Sequence, residues 1–259
     1  MPDESGFAMT NEIGHLYPDL ISAGSLARSL QQMLVEIGSS LEVRSFEDLL
    51  DSKQKDEIKG FPAYARIEHG ERFSQIYVAL KERLFLFDFW RRGVMLANAT
   101  TPDLKAVAAS IHRWIADSVT ICDLSQEYPF VKPVDSAEAF ESGAEVEHRW
   151  TSYENSIPTS FPELLPFLDV AKRTPELRQL FPFTSLNRMC FSRCTGYPYT
   201  DDCPVITPLF IGDIASGQYE VRLRGRLLGK GNGSEAAEIV VRHLPSNCGP
   251  AVAGTAETI

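Results

Sequence analysis

The chain has 259 residues, is 44% hydrophobic and 23% charged, and carries a formal net charge of −10. That is ordinary globular composition, with enough chain for one large core or two small ones. The acid excess argues against a nucleic-acid binder, whose affinity comes mainly from Lys and Arg, and suits a cytoplasmic protein or one that receives a basic partner. The first twenty residues hold early acids and no apolar run, so no secretory signal is expected. No window approaches the roughly 18 apolar residues of a membrane span. Five cysteines at irregular spacing predict reduced thiols rather than a disulfide framework.

Residues 1–19 read as a mobile lead-in. Leu26, Leu30, Met33, Leu34 and Ile37 recur at helical steps, with Ser25 as N-cap and Gly38 as stop. The charged stretch 46–61 predicts a short helix or loop. Strand-like runs follow at 63–68, 73–80 and 84–90, separated by turn signals at His69-Gly70-Glu71 and Lys81-Glu82-Arg83, which predicts an antiparallel meander. Thr101-Pro102-Asp103 signs a helix start, and Leu104, Val107, Ala108, Ile111, Trp114 and Ile115 form its apolar stripe. Residues 119–124 read as a strand or loop, and 131–145 as linker-like.

Beyond the linker, 148–153 and 160–173 predict helices, and Thr174-Pro175-Glu176 opens a shorter one. Strands are expected at 188–193, 205–211 and 219–223. A last helix starts near Ser234, and residues 249–259 form a tail. Aligning Thr101 with Ser234 matches Leu104, Val107, Ala108 and Ile111 to Ala237, Val240, Val241 and Leu244. The expected class is therefore α+β: antiparallel sheets flanked by helices, in two similar halves at 20–130 and 146–248. The competing explanation is that any two capped amphipathic helices match at their apolar positions.

The densest chemistry lies in residues 191–204, F-S-R-C-T-G-Y-P-Y-T-D-D-C-P. Polar groups on a loop leaving a buried strand are where sites tend to sit. Arg193, Tyr199 and Asp201 are candidates for binding a substrate, the guanidinium holding a carboxylate or phosphate. Asp202, Cys194 and Tyr197 are candidates for acid–base work or attack. The alternative is an ordered loop whose arginine pairs with its own aspartate. Cys190, Cys194 and Cys203 lack the paired spacing of a zinc site, so no metal is expected. The run Gly229–Ser234 lacks the order of a phosphate loop and reads as a glycine turn with Ser234 as helix cap.

Several strings together, Tyr17-Pro18-Asp19, Trp90-Arg91-Arg92-Gly93-Val94, residues 177–183, residues 191–204 and Gly249-Pro250-Ala251, resemble an uncharacterised actinobacterial family of unknown function. Its members carry the label of natural-product biosynthesis. The resemblance runs from about Tyr17 to the end and brings no catalytic residues with it. It implies an accessory or binding protein for a peptide, a carrier-bound intermediate or a pathway enzyme, without a cofactor. A cofactor-independent tailoring enzyme acting at 191–204 is the second expectation, and an immunity or self-resistance protein the third.

Overall fold

The computed structural model describes residues 14–45, 64–246 and 248–259. The expectation for 46–61 and most of the lead-in lie outside them. The chain divides into two compact units, one of Met1–Arg91 with Met95–Glu138, the other of Arg92–Val94 with Ala139–Ile259. Both contain an antiparallel sheet with helices, as the α+β expectation requires.

The first unit opens on α1 (Pro18–Ala23) and α2 (Leu26–Glu36). The Ser25 hydroxyl accepts from the Arg28 N–H and caps α2, and Gly38 takes the positive φ of 76° that favours glycine. Tyr17, placed by sequence in the lead-in, is fully buried instead: its phenol oxygen lies 2.9 Å from the Ala79 and Glu82 carbonyls and accepts from the Leu84 N–H. The sheet runs β1 (Val43–Ser45), β2 (Tyr64–His69), β3 (Arg72–Val78), β4 (Phe85–Arg91), β5 (Val94–Thr101) and β6 (Val131–Pro133) in simple order. Along β4, Phe85, Phe87 and Phe89 are buried at period two. They share the core with Leu104, Val107, Ile111 and Trp114 of α3 (Leu104–Ile115), and Phe89 meets Trp114 edge to face.

Two expectations are corrected in this unit, and the linker-like stretch, which holds the boundary between the two units, carries secondary structure. Residues 94–101 form a strand, and the helix cap is Asp103, whose carboxylate accepts from the Lys105 N–H; Thr101 ends β5. Residues 121–127 form α4 (Ile121–Glu127), because Thr120 caps the Asp123 N–H at 3.1 Å. The linker-like stretch holds β6 and α5 (Ala137–Ser142).

The second unit begins with α6 (Glu145–Ser160), longer than the helix expected at 148–153, followed by a short 3₁₀ turn and α7 (Leu165–Ala171) within the stretch expected at 160–173, and then α8 (Pro175–Arg178). Trp150, Tyr153 and Ile157 of α6 are buried, and the Trp150 indole donates to the Leu180 carbonyl. The sheet is a five-strand meander: β7 (Phe181–Ser185), β8 (Arg188–Ser192), β9 (Val205–Ile211), β10 (Ile214–Leu223) and β11 (Arg226–Gly231). β7 tolerates Pro182 because it is an edge strand. The first half of the glycine-rich run expected as a turn, Gly229–Gly231, ends β11. The helix that follows, α9 (Gly233–Arg242), is capped by Asn232 with a reciprocal bond from Glu235, not by Ser234.

In each sheet an Arg–Gly hairpin precedes the fifth strand and a capped helix follows it. Arg92 and Gly93 have φ of 51° and 75°, Arg224 and Gly225 of 47° and 81°, the paired positive values of a type I′ turn. Matching the two observed caps, Asp103 and Asn232, shifts the helix alignment by about one turn from the sequence match. Leu104, Val107, Ala108 and Ile111 then fall on Gly233, Ala236, Ala237 and Val240, all buried.

Candidate functional site

Strand register in the second unit sorts its side chains onto two faces. Met189 and Phe191 of β8, Ile206 of β9 and Tyr219 and Val221 of β10 face the helices and form the core with Trp150 and Phe167. The residues of the other face lie outside that helix-packed core. There Phe183 of β7 stands opposite Cys190, and Ser185 opposite Arg188. The Met189–Ile206 pair sets Cys190 against Val205 and Arg188 against Thr207. On β10, Arg222 stands opposite Val205 and Glu220 opposite Thr207. Two rows result: Phe183, Cys190, Val205 and Arg222; then Ser185, Arg188, Thr207 and Glu220.

A cleft of about 520 Å³ lies on this face, within the size range of small-molecule sites. One wall is the segment 191–204. Tyr199 stacks on Phe183 with centroids 4.4 Å apart, and Tyr197 meets Tyr199 edge to face at 5.9 Å. The Tyr197–Pro198 peptide is cis. Burial pushes the Tyr199 phenol above its ordinary value, and the Cys190 thiol up to about 11. Both are neutral at pH 7, so this side of the cleft is apolar at its base.

Of the six residues singled out by sequence, Tyr197, Tyr199 and Asp201 line this cleft. The other three are engaged beside it. Arg193 donates from Nε at 2.9 Å and Nη2 at 2.7 Å to the Asp202 carboxylate, so the anion it holds is supplied by its own loop. Cys194 is fully buried, its thiol 3.3 Å from the Ser192 hydroxyl and 3.5 Å from the Gly196 carbonyl. Asp201 pairs at 3.0 Å with Arg224 on the exposed rim. The set thus divides into a cleft group and a scaffold group. Cys203 and Cys248 share the second core, and burial raises both thiols. Among the described residues, no group of three or more His, Cys, Asp or Glu is placed to hold a metal.

Burial alone would push the Asp202 carboxyl up. The Arg193 hydrogen bond and charge, with Thr200, outweigh it and hold the carboxyl below its ordinary 3.8. A group whose folded pKa is depressed stabilises the fold above its unfolded pKa and loses that contribution as pH falls through the folded value. Asp202→Asn is therefore expected to cost about 1 kcal/mol at pH 7. The difference from the parent should shrink as pH drops below about 4, measured by urea midpoints across that range. A constant difference down to pH 3 would contradict the assignment.

Sequence reasoning missed the residues that build the scaffold. Ser192 accepts from the Cys194 and Thr200 N–H groups, and Thr200 accepts from the Arg193 N–H. The tail is part of the site: Thr195 and Gly196 donate to the Val252 and Gly254 carbonyls, Val252 donates to Arg193, and Ala256 donates to Pro198. Glu145, 5% exposed, meets the Thr195 hydroxyl at 3.5 Å, its other oxygen unpartnered. Of the cleft residues outside the segment, Phe183, Arg188, Thr207 and Arg222 come from four strands, and no local spacing connects them.

Residues 144–255 match the model of a family described as a family of unknown function (DUF6193). The matched stretch lies within the second unit and holds both the cleft and the segment 191–204. No curated protein and no solved structure matches the chain. No described helix is long and apolar enough to cross a membrane.

Proposed function

We propose that this chain is a binding protein, and that the open sheet face of its second unit holds a small molecule or an extended peptide segment. The observation that carries the reading is the cleft itself. It is concave, the stacked rings of Phe183 and Tyr199 wall it, the side formed by Cys190 and Val205 is uncharged, and Arg188, Arg222 and Arg224 line the rest. That is how a site orients a ligand without reacting with it. The candidate nucleophile Cys194 and acid–base residue Asp202 are turned into the scaffold, which favours binding over the tailoring-enzyme reading. The proposal that the ligand is an intermediate of a specialised-metabolite pathway rests on the family resemblance. Placement in the cytoplasm rests on the acidic composition and the reduced thiols.

The test is direct. Wild-type protein should protect the cleft side of β7–β9 from hydrogen exchange when incubated with extract of a producing cell, and native mass spectrometry should show a retained small molecule. Tyr199→Ala removes the ring that stacks on Phe183 and should weaken retention about tenfold or more. Retention unchanged in Tyr199→Ala would move the site elsewhere.

A further inference from the structure

The cleft is polarised, and its polarity specifies a ligand. One row of the open face, Phe183, Cys190 and Val205, is apolar and has Tyr199 stacked over its end. The next row, about 7 Å further along the strands, has Arg188 at its centre with the Ser185 and Thr207 hydroxyl-bearing residues on either side. The arginines of the cleft are not equivalent. Arg222 is bound to Glu220 at 2.8 Å and to the Gly225 carbonyl at 2.7 Å, and Arg224 to Asp201. Arg188 has no hydrogen bond or ion pair among the described residues, and it is exposed toward the cleft. Glu220 offsets Arg222 and Asp201 offsets Arg224, so in a chain of net charge −10 Arg188 is the lining arginine left without a carboxylate partner among the described residues.

We infer that the cleft takes an amphipathic oxyanion: a ligand with a planar or apolar body packed against Phe183, Val205 and Tyr199, and a carboxylate or phosphate group received by Arg188 between Ser185 and Thr207. This rests on the binding reading above and adds the chemical class and the orientation. The guanidinium fork matches both oxyanions bidentately, and neighbouring hydroxyls donate to the same oxygens. A neutral body of the same shape gains the ring contacts and lacks the charge-assisted bonds. A cationic body meets Arg188, whose charge no carboxylate of the cleft offsets.

Three fluorescent probes of one shape separate these contributions: naphthalene-2-carboxylate, 2-naphthyl phosphate and the neutral naphthalene-2-carboxamide, titrated into the full chain. The acid or the phosphate should bind about tenfold more tightly than the amide. The stronger of the two identifies the oxyanion. Arg188→Gln should weaken the anionic probes about tenfold and leave the amide within about twofold, and Arg188→Lys should fall between them. Circular dichroism checks the variants, whose exposed side chain contributes nothing to the core. Equal binding of acid and amide, or an Arg188→Gln protein that keeps the preference, would overturn the oxyanion assignment while leaving the cleft as a site. No binding by any of the three at millimolar concentration would overturn the binding reading as well.

Discussion

Replacing Ser192 by alanine should lower the stability of the second unit by about 2–5 kcal/mol. Ser192 is the last residue of β8 and is fully buried. Its hydroxyl oxygen accepts from the Cys194 N–H at 3.0 Å and the Thr200 N–H at 3.2 Å, and lies 3.4 Å from the Thr200 hydroxyl. Alanine preserves the packing and removes the acceptor. Two buried N–H groups are then left without partners, each costing roughly 1–3 kcal/mol. The Thr200 hydroxyl, freed from Ser192, is also less able to hold the Arg193 N–H. Urea unfolding with an unchanged slope measures the loss. A loss under about 0.5 kcal/mol would show that the two amides find other acceptors and that Ser192 does not organise the loop.

Ending the chain after Pro250 should cost about 2–6 kcal/mol, since five backbone hydrogen bonds of roughly 1 kcal/mol each are removed, that of the Ala251 N–H to the Gln179 carbonyl among them. Val252 pairs in parallel with Cys194 as an isolated bridge, and the bonds at Thr195, Gly196, Arg193 and Pro198 span 2.8–3.1 Å. These bonds cover Cys194, Thr195 and Gly196, all buried in the full chain. Their loss should expose the segment and open the peptide bond after Arg193 to trypsin. Limited proteolysis and thermal unfolding of the truncated chain check both consequences. An unchanged midpoint with no cleavage at Arg193 would show that the tail only lies against the loop.

The legible parts of the fold are those whose signal is local. α2 and α3 are visible because three- and four-residue apolar spacing and polar caps act within one helix. β2 to β4 are visible because alternation and turn residues act within one strand and its hairpin. β5 escapes because Val94–Thr101 is built largely of small residues, Ala97 and Ala99 among them, whose burial gives little hydrophobic contrast. β7 escapes because proline reads as a break, although an edge strand accepts it. The tail escapes because its backbone holds it in place, and backbone hydrogen bonding leaves no mark in a hydrophobic pattern.

The chemistry divides in the same way. By itself the sequence determined that residues 191–204 leave a buried strand with an uncommon density of polar side chains. It also determined the apolar stripes and the α+β class, whereas the caps at Asp103 and Asn232 each lie two residues from the position expected. Tertiary structure decided what each polar group faces. Arg193 and Asp202 turn to each other because Ser192, Thr200 and the Val252 strand hold the loop in a fold that brings them to 2.7 Å. Arg188 opens to the cleft because antiparallel register places it between Ser185 and Thr207, on the face opposite the helix-packed core. Register is a long-range property: one residue of slip would send Arg188 into the core and Met189 to the cleft. Arg188 was therefore in the sequence from the start, but only the assembled sheet distinguishes it, without a carboxylate partner among the described residues, from the paired arginines of the cleft.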